Sequence, residues 1–261
     1  MHGWRWAAVL VAVTLVAHGQ LDVDASGAAP LVRAGPYVAS FNAETGMLSR
    51  LCLSDGTEMI TASRIYHDVF MDYPRESFTS TATAPMVCRR EADTVIVEGE
   101  GRLVNAAGRP HAHGAFDYLV RYTFADSADI HVATEIRPRF TEPALKGFLA
   151  HILTTAPQRE FFVHTPDGLI CEVAATRSMR TWQAVNEPLD PALARFGVLL
   201  TVGPTLSFRV VRQEPVPQNT FFHDSGNGPT TVFFAWLAGT GTRTITDGDV
   251  WRHEFTIARG P

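Results

Sequence analysis

The chain has 261 residues, 46% of them hydrophobic and 19% charged, with a formal charge of −5 at pH 7. Its 22 basic residues are scattered and include a single lysine, Lys146, so there is no cationic patch of the kind that nucleic acid requires. The length suits one large domain with a sizeable core.

Met1 to Gln20 carries Arg5 ahead of the apolar run Ala7–Ala17 and the small residues Ala17 and Gly19, which reads as an export signal cleaved near Gly19. The run is about half of the ~20 residues that a membrane span needs. The expected mature protein is therefore residues 21–261, without a membrane span, and secreted or periplasmic. Loss of Arg5 takes the charge to −6.

The mature part opens with two strand-like runs, Pro36–Asn42 and Met47–Leu53, punctuated by Ala43-Glu44-Thr45-Gly46 and Ser54-Asp55-Gly56-Thr57. Glycine in both turns suits a hairpin closing with positive φ. Further strands are predicted at 94–104, 116–124, 129–136, 147–155, 160–163, 169–174, 196–202, 205–211, 230–237 and 251–258. Helix is expected only as single turns at 142–146 and 190–195. Strands of this number and spacing predict an antiparallel β-sandwich or closed barrel, with almost no helix.

Period-two alternation assigns faces. In the 116–124 run, Phe116, Tyr118, Val120, Tyr122 and Phe124 oppose Asp117, Arg121 and Thr123; in the next, Ile130, Val132 and Ile136 oppose Asp129, His131, Glu135 and Arg137. If the two pair, Asp117, Arg121, His131, Glu135 and Arg137 form one polar field. It reads either as a solvated face with cross-strand ion pairs or as a concave ligand-binding face.

Cys52, Cys88 and Cys171 are an odd set for an exported chain: Cys52 and Cys88 form a bridge, or all three are small buried hydrophobes. His111-Ala112-His113 places two imidazoles at i and i+2, the spacing by which strand histidines in cupin-type jelly rolls share a metal, with Asp117 four residues on. The alternative is a polar loop after Arg109-Pro110. No cofactor is expected, and a divalent metal on His111 and His113 is the alternative. Two clusters are read as loops, Ile65–Tyr73 with Tyr66 and His67, and Phe221–Gly228 with His223. Aromatic rings beside hydrogen-bonding groups suit sugars. No P-loop, dinucleotide fingerprint, HExxH or zinc-finger spacing occurs.

The strand–Thr45-Gly46–strand opening that ends near Ser54-Asp55-Gly56, the middle segment Met179–Val185 followed by Phe196–Leu200, and the closing Thr246–Ile257 segment resemble galactose mutarotase-like β-supersandwich domains over roughly residues 32–259. That family includes aldose epimerases and modules of polysaccharide lyases and glycoside hydrolases. The resemblance implies a carbohydrate or glycan partner and acid/base chemistry at a sugar, epimerase- or lyase-like. The epimerase Asn-His-Pro motif is replaced by Arg109-Pro110-His111-Ala112-His113; His151 stands where a second histidine is expected and Glu254 where a late carboxylate is. Ring opening needs a base and an acid, and uronate β-elimination needs a base beside a cation. The candidates are His111, His113, His151, Arg121 and Glu135 for chemistry, and Tyr66, His67, Arg137, Trp182 and His223 for sugar contact. A non-catalytic envelope module and a cupin-like metalloenzyme are the alternatives.

Overall fold

The computed structural model describes residues 21–68, 76–125, 129–156, 161–164, 170–172, 183–184, 199–202, 206–214, 219–224, 229–237 and 242–259. The expected signal segment, Trp182 and the helical turn at 190–195 lie outside them. The described residues contain no helix. Their strands are β1 (Asp22–Asp24), β2 (Leu31–Ala34), β3 (Tyr37–Asn42), β4 (Met47–Leu53), β5 (Glu58–Asp68), β6 (Ser77–Ala82) and β7 (Val87–Glu91). There follow β8 (Thr94–Val104), β9 (Phe116–Ala125), β10 (Ile130–Pro138), β11 (Glu142–Lys146), β12 (Phe148–Thr155), β13 (Phe161–His164) and β14 (Ile170–Glu172). The last are β15 (Gln183–Ala184), β16 (Leu199–Val202), β17 (Leu206–Glu214), β18 (Asn219–Asp224), β19 (Thr230–Leu237), β20 (Thr242–Ile245) and β21 (Trp251–Arg259).

All pairings are antiparallel. One layer runs β8-β9-β10-β21-β17-β16-β13-β14, with β7 on the far edge of β8. The second runs β1-β2-β3-β4-β5-β12-β19-β18-β15. Strand β6 joins the two, pairing with β5 through its first half and with β8 through its second. This is the expected antiparallel sandwich.

The inner faces meet in one apolar core. Tyr118, Val120, Tyr122, Phe124, Phe208, Phe255 and Ile257 from the first layer pack on Leu48, Leu51, Ile65, Leu149, Leu153, Phe234 and Trp236 from the second, all at most 3% exposed. Each such side chain contributes about 1.5–3 kcal/mol through burial. The polar ends of the two core tyrosines are satisfied across the gap: the Leu48 N–H donates to Tyr122 Oη at 3.1 Å and Tyr118 Oη donates to the Thr45 carbonyl at 2.5 Å. The hairpin turn explains why Gly46 and Gly99 carry no side chain. Gly46 has φ of 61°, and a Cβ on Gly99 would lie 1.9 Å from the Gly46 carbonyl oxygen.

Three sequence expectations change. Glu142–Lys146 is a strand paired with Thr242–Ile245, since five residues form too few internal hydrogen bonds to hold a helix and β20 offers a partner. The two clusters read as loops begin as strands: Ile65–Asp68 ends β5 and Phe221–Asp224 ends β18, while 69–75 and 225–228 lie outside the described residues. Cys52 and Cys88 are free thiols, one buried in β4 of the second layer and the other half-buried on the edge strand β7 of the first.

Candidate functional site

The predicted polar field exists, on the outer face of β8, β9, β10, β21 and β17. The register sets Asp117 opposite Arg137 and Arg102, and Arg121 opposite Glu98. Four carboxylates of the field, Glu98, Asp117, Glu135 and Glu254, are held between basic groups. Glu98 accepts from Arg121 Nε at 2.6 Å and from Arg89; Asp117 from Arg102 and Arg139, both at 2.7 Å; Glu135 from Arg137 at 2.6 Å and Arg252 at 3.1 Å. Glu254 lies 3.6 Å from His131 and 3.8 Å from Arg212. The hydrogen bond from Arg89 leads in holding the Glu98 carboxyl below the usual range. For Asp117 and Glu135 burial pushes upward, but the paired arginines outweigh it and the net displacement is downward. A cleft of about 310 Å³ opens at one end of this face, around Asp117, Leu119, Arg137 and Arg139.

His151, His67, His111 and His113 lie elsewhere. His151 is fully buried on the inner face of β12, its Nε2 2.8 Å from Ser63 Oγ and its Nδ1 3.1 Å from Thr134 Oγ1. Burial pushes its pKa down to about 3, so it is a neutral core residue. Thr134 and Glu135 point to opposite faces of β10, so the sheet separates His151 from Glu135, Arg121 and Glu254. His67 is likewise fully buried, caged by Phe78, Phe116 and His111 with ring centroids 4.9–5.8 Å away; burial, assisted by His111, pushes it down to about 3.

His111 opens a turn closed by the Gly114 N–H donating to the His111 carbonyl at 3.0 Å, and His113 lies within it; the pair is not on a strand. Their rings stack at 5.0 Å, the His113 N–H donates to His111 Nδ1 at 3.2 Å, and His113 Nδ1 lies 3.2 Å from Glu142. Among the described residues no group of three or more His, Cys, Asp or Glu is placed to hold a metal ion. His111 and His113 thus stand together near His67, Arg121 with Glu135 and Arg137 on the outer face of the first layer, and His151 apart from both. His223 lies in β18, paired with Thr231.

A second constellation follows from β5 being a strand to its end. Alternation turns Ile65 and His67 into the core and puts Arg64, Tyr66 and Asp68 together on the outer face of the second layer. Tyr66, partly buried, packs beside Phe148, ring centroids 6.3 Å apart, against a small buried apolar group formed by Phe148, Ala150, Ile152, Phe233 and Ala235. The Arg64 guanidinium sits 5.6 Å over the Tyr66 ring. The phenol oxygen donates to Asp68 Oδ2 at 3.3 Å and lies 3.0 Å from Ser77 Oγ on β6. Asp68 lay inside the Ile65–Tyr73 cluster without being singled out, and Arg64 lay just before it; the Arg64/Tyr66/Asp68 alternation was the signal that would have joined them.

No protein-family model matches the chain, and no curated protein matches it in sequence. Solved structures do match. A galactose 1-epimerase from Lactobacillus acidophilus NCFM aligns with a TM-score of 0.54 at 9% identity, over 89% of this chain and 95% of its own. A galactose mutarotase related enzyme from Lactobacillus acidophilus gives 0.53 at 7% identity, over 89% and 97%. The GH36 α-galactosidase AgaB from Geobacillus stearothermophilus gives 0.51 at 9% identity, over 92% of this chain and 41% of its own. The protein therefore has the galactose mutarotase-like fold, an all-β sandwich of the kind that the sequence resemblance implied.

Proposed function

We propose that this is an exported carbohydrate-binding protein that takes a sugar at the outer rim of β5. The observation that carries the reading is the array around Tyr66: an aromatic ring with Phe148 at its side, a guanidinium over its face, and a hydroxyl tied to Asp68 and Ser77. A pyranose presents C–H groups to a ring and hydroxyls to its polar edge, which is the chemistry assembled there. The fold supports the reading, since neighbours with this architecture are named as enzymes of galactose and galactosides. Export is supported by the composition of residues 1–20 alone.

Catalysis is the second reading, favoured by the adjacency of a buried carboxylate and a phenol. Asp68 is 1% exposed and would act on a sugar only through Tyr66, whose phenol donates to it at 3.3 Å, so Tyr66 would be the group that exchanges a proton with the sugar and Asp68 its partner. Polysaccharide β-elimination would call on the same groups with Arg64 as the cation. The test is titration of intrinsic fluorescence with neutral monosaccharides and neutral glycan fragments, using the parent protein and Tyr66→Ala. Polarimetry on freshly dissolved α-sugars and ultraviolet absorbance with uronate polysaccharides accompany it. Saturable binding lost in Tyr66→Ala supports the site; binding unchanged in that variant sinks it. Optical rotation relaxing no faster than in buffer, with flat absorbance, leaves binding without catalysis.

A further inference from the structure

The cleft on the opposite layer carries a different chemistry. It is lined by Glu100, Arg102, Asp117, Leu119, Arg137 and Arg139, at the end of the outer face where β8, β9 and β10 lie side by side. We propose that it is a binding site for a uronate: a sugar-sized ligand with a carboxylate at one end and hydroxyl donors at the other. It is independent of the Tyr66 site, from which the body of the sandwich separates it.

The argument begins with Asp117. Its two oxygens accept from Arg102 Nε and Arg139 Nε, each at 2.7 Å, so it orients two guanidiniums while engaging one donor of each. A guanidinium has five N–H groups in a rigid fork, and the terminal ones match a carboxylate with two parallel bonds. Arg137 stands beside them, braced by Glu135 at 2.6 Å. Three arginines are thus held in place before any ligand arrives, which lowers the ordering cost of binding.

The other end of the cleft is acidic. Glu100 is exposed and pairs across β8–β9 with Leu119, whose half-buried side chain offers an apolar floor between the two ends. A carboxylate beside Glu100 would be repelled, whereas hydroxyl donors would be accepted there. A volume of about 310 Å³ is at the small end of ligand sites and fits one or two sugar residues. A neutral sugar leaves the arginine fork unanswered, and a simple carboxylate leaves Glu100 and the floor unused.

Calorimetric titration of the purified protein at low salt tests this with D-glucuronate, D-glucose and acetate, each to about 20 mM, a range that resolves millimolar affinities. Glucuronate is expected to bind, with acetate weaker by about tenfold or more, and glucose weaker by the same factor in Tyr66→Ala, where the β5 sugar site is removed. Arg139→Gln and Arg137→Gln, both at partly exposed positions that the fold tolerates, are each expected to weaken glucuronate by about tenfold, and Tyr66→Ala to leave it unchanged. No heat with glucuronate, acetate matching it, glucose matching it in Tyr66→Ala, or full affinity in both arginine variants would overturn the proposal. Loss of glucuronate binding in Tyr66→Ala alone would move the uronate to the other site and overturn it equally.

Discussion

Lowering the pH from neutrality should destabilise this protein well before its carboxylates titrate, because three core histidines are built to stay neutral. His67, His151 and His253 are each 0% exposed. Among the described residues neither ring nitrogen of His67 or His253 has a hydrogen-bond partner, and those of His151 meet only hydroxyls. Burial pushes His67 and His151 down to about 3 and His253 well below its ordinary value, the last with His151 adding to the effect. In the unfolded chain each takes up a proton near pH 6.5, whereas the folded protein binds none until far lower. Stability is therefore complete above about pH 6.5 and lost as the pH falls toward 3. Between about pH 7 and about pH 5.5 each histidine contributes a loss of about 1.3 kcal/mol, or about 4 kcal/mol for the three. That is a large part of the 5–15 kcal/mol typical of a domain. Urea unfolding at the two pH values and constant ionic strength measures it. His67→Phe, set among Phe78 and Phe116, should remove about a third of the pH dependence. A total loss under about 1 kcal/mol would refute the reasoning, since it would require these histidines to protonate in the folded state.

Other perturbations follow from particular contacts. Gly99→Ala should cost more than about 3 kcal/mol in denaturant unfolding, because the new Cβ meets a backbone carbonyl at 1.9 Å where no flexible side chain can yield. Phe234→Ala, at a 0%-exposed position against Phe208, Phe255 and His253, should cost about 3–5 kcal/mol, read as a drop in the thermal midpoint. Arg121→Gln should cost less than about 1 kcal/mol despite its 2.6 Å bond to Glu98, since the arginine is half exposed and Arg89 still holds that carboxylate.

The sequence by itself determined the class of the molecule. Alternation at 116–124 and 129–136 told inward from outward positions correctly, and the observed β9 and β10 pair in the register that makes Asp117, Arg121, His131, Glu135 and Arg137 one polar field. Strands at 94–104 and 230–237 were legible to the residue, because period two and turn chemistry are local properties. Tertiary structure alone decided which layer each strand joins and what each ionisable group meets. A histidine on a strand reads the same whether it faces a cleft or the opposing sheet; only the packing of β12 on β10 turned His151 into a neutral core residue. That Arg64 and Asp68 share a face with Tyr66 came into view when β5 proved to run to residue 68. The cleft at Arg139 is built on the consecutive strands β8, β9 and β10, and alternation already set Asp117 and Arg137 on one face; what only the folded sheet decided is that Arg102 and Arg139 close on the two oxygens of Asp117.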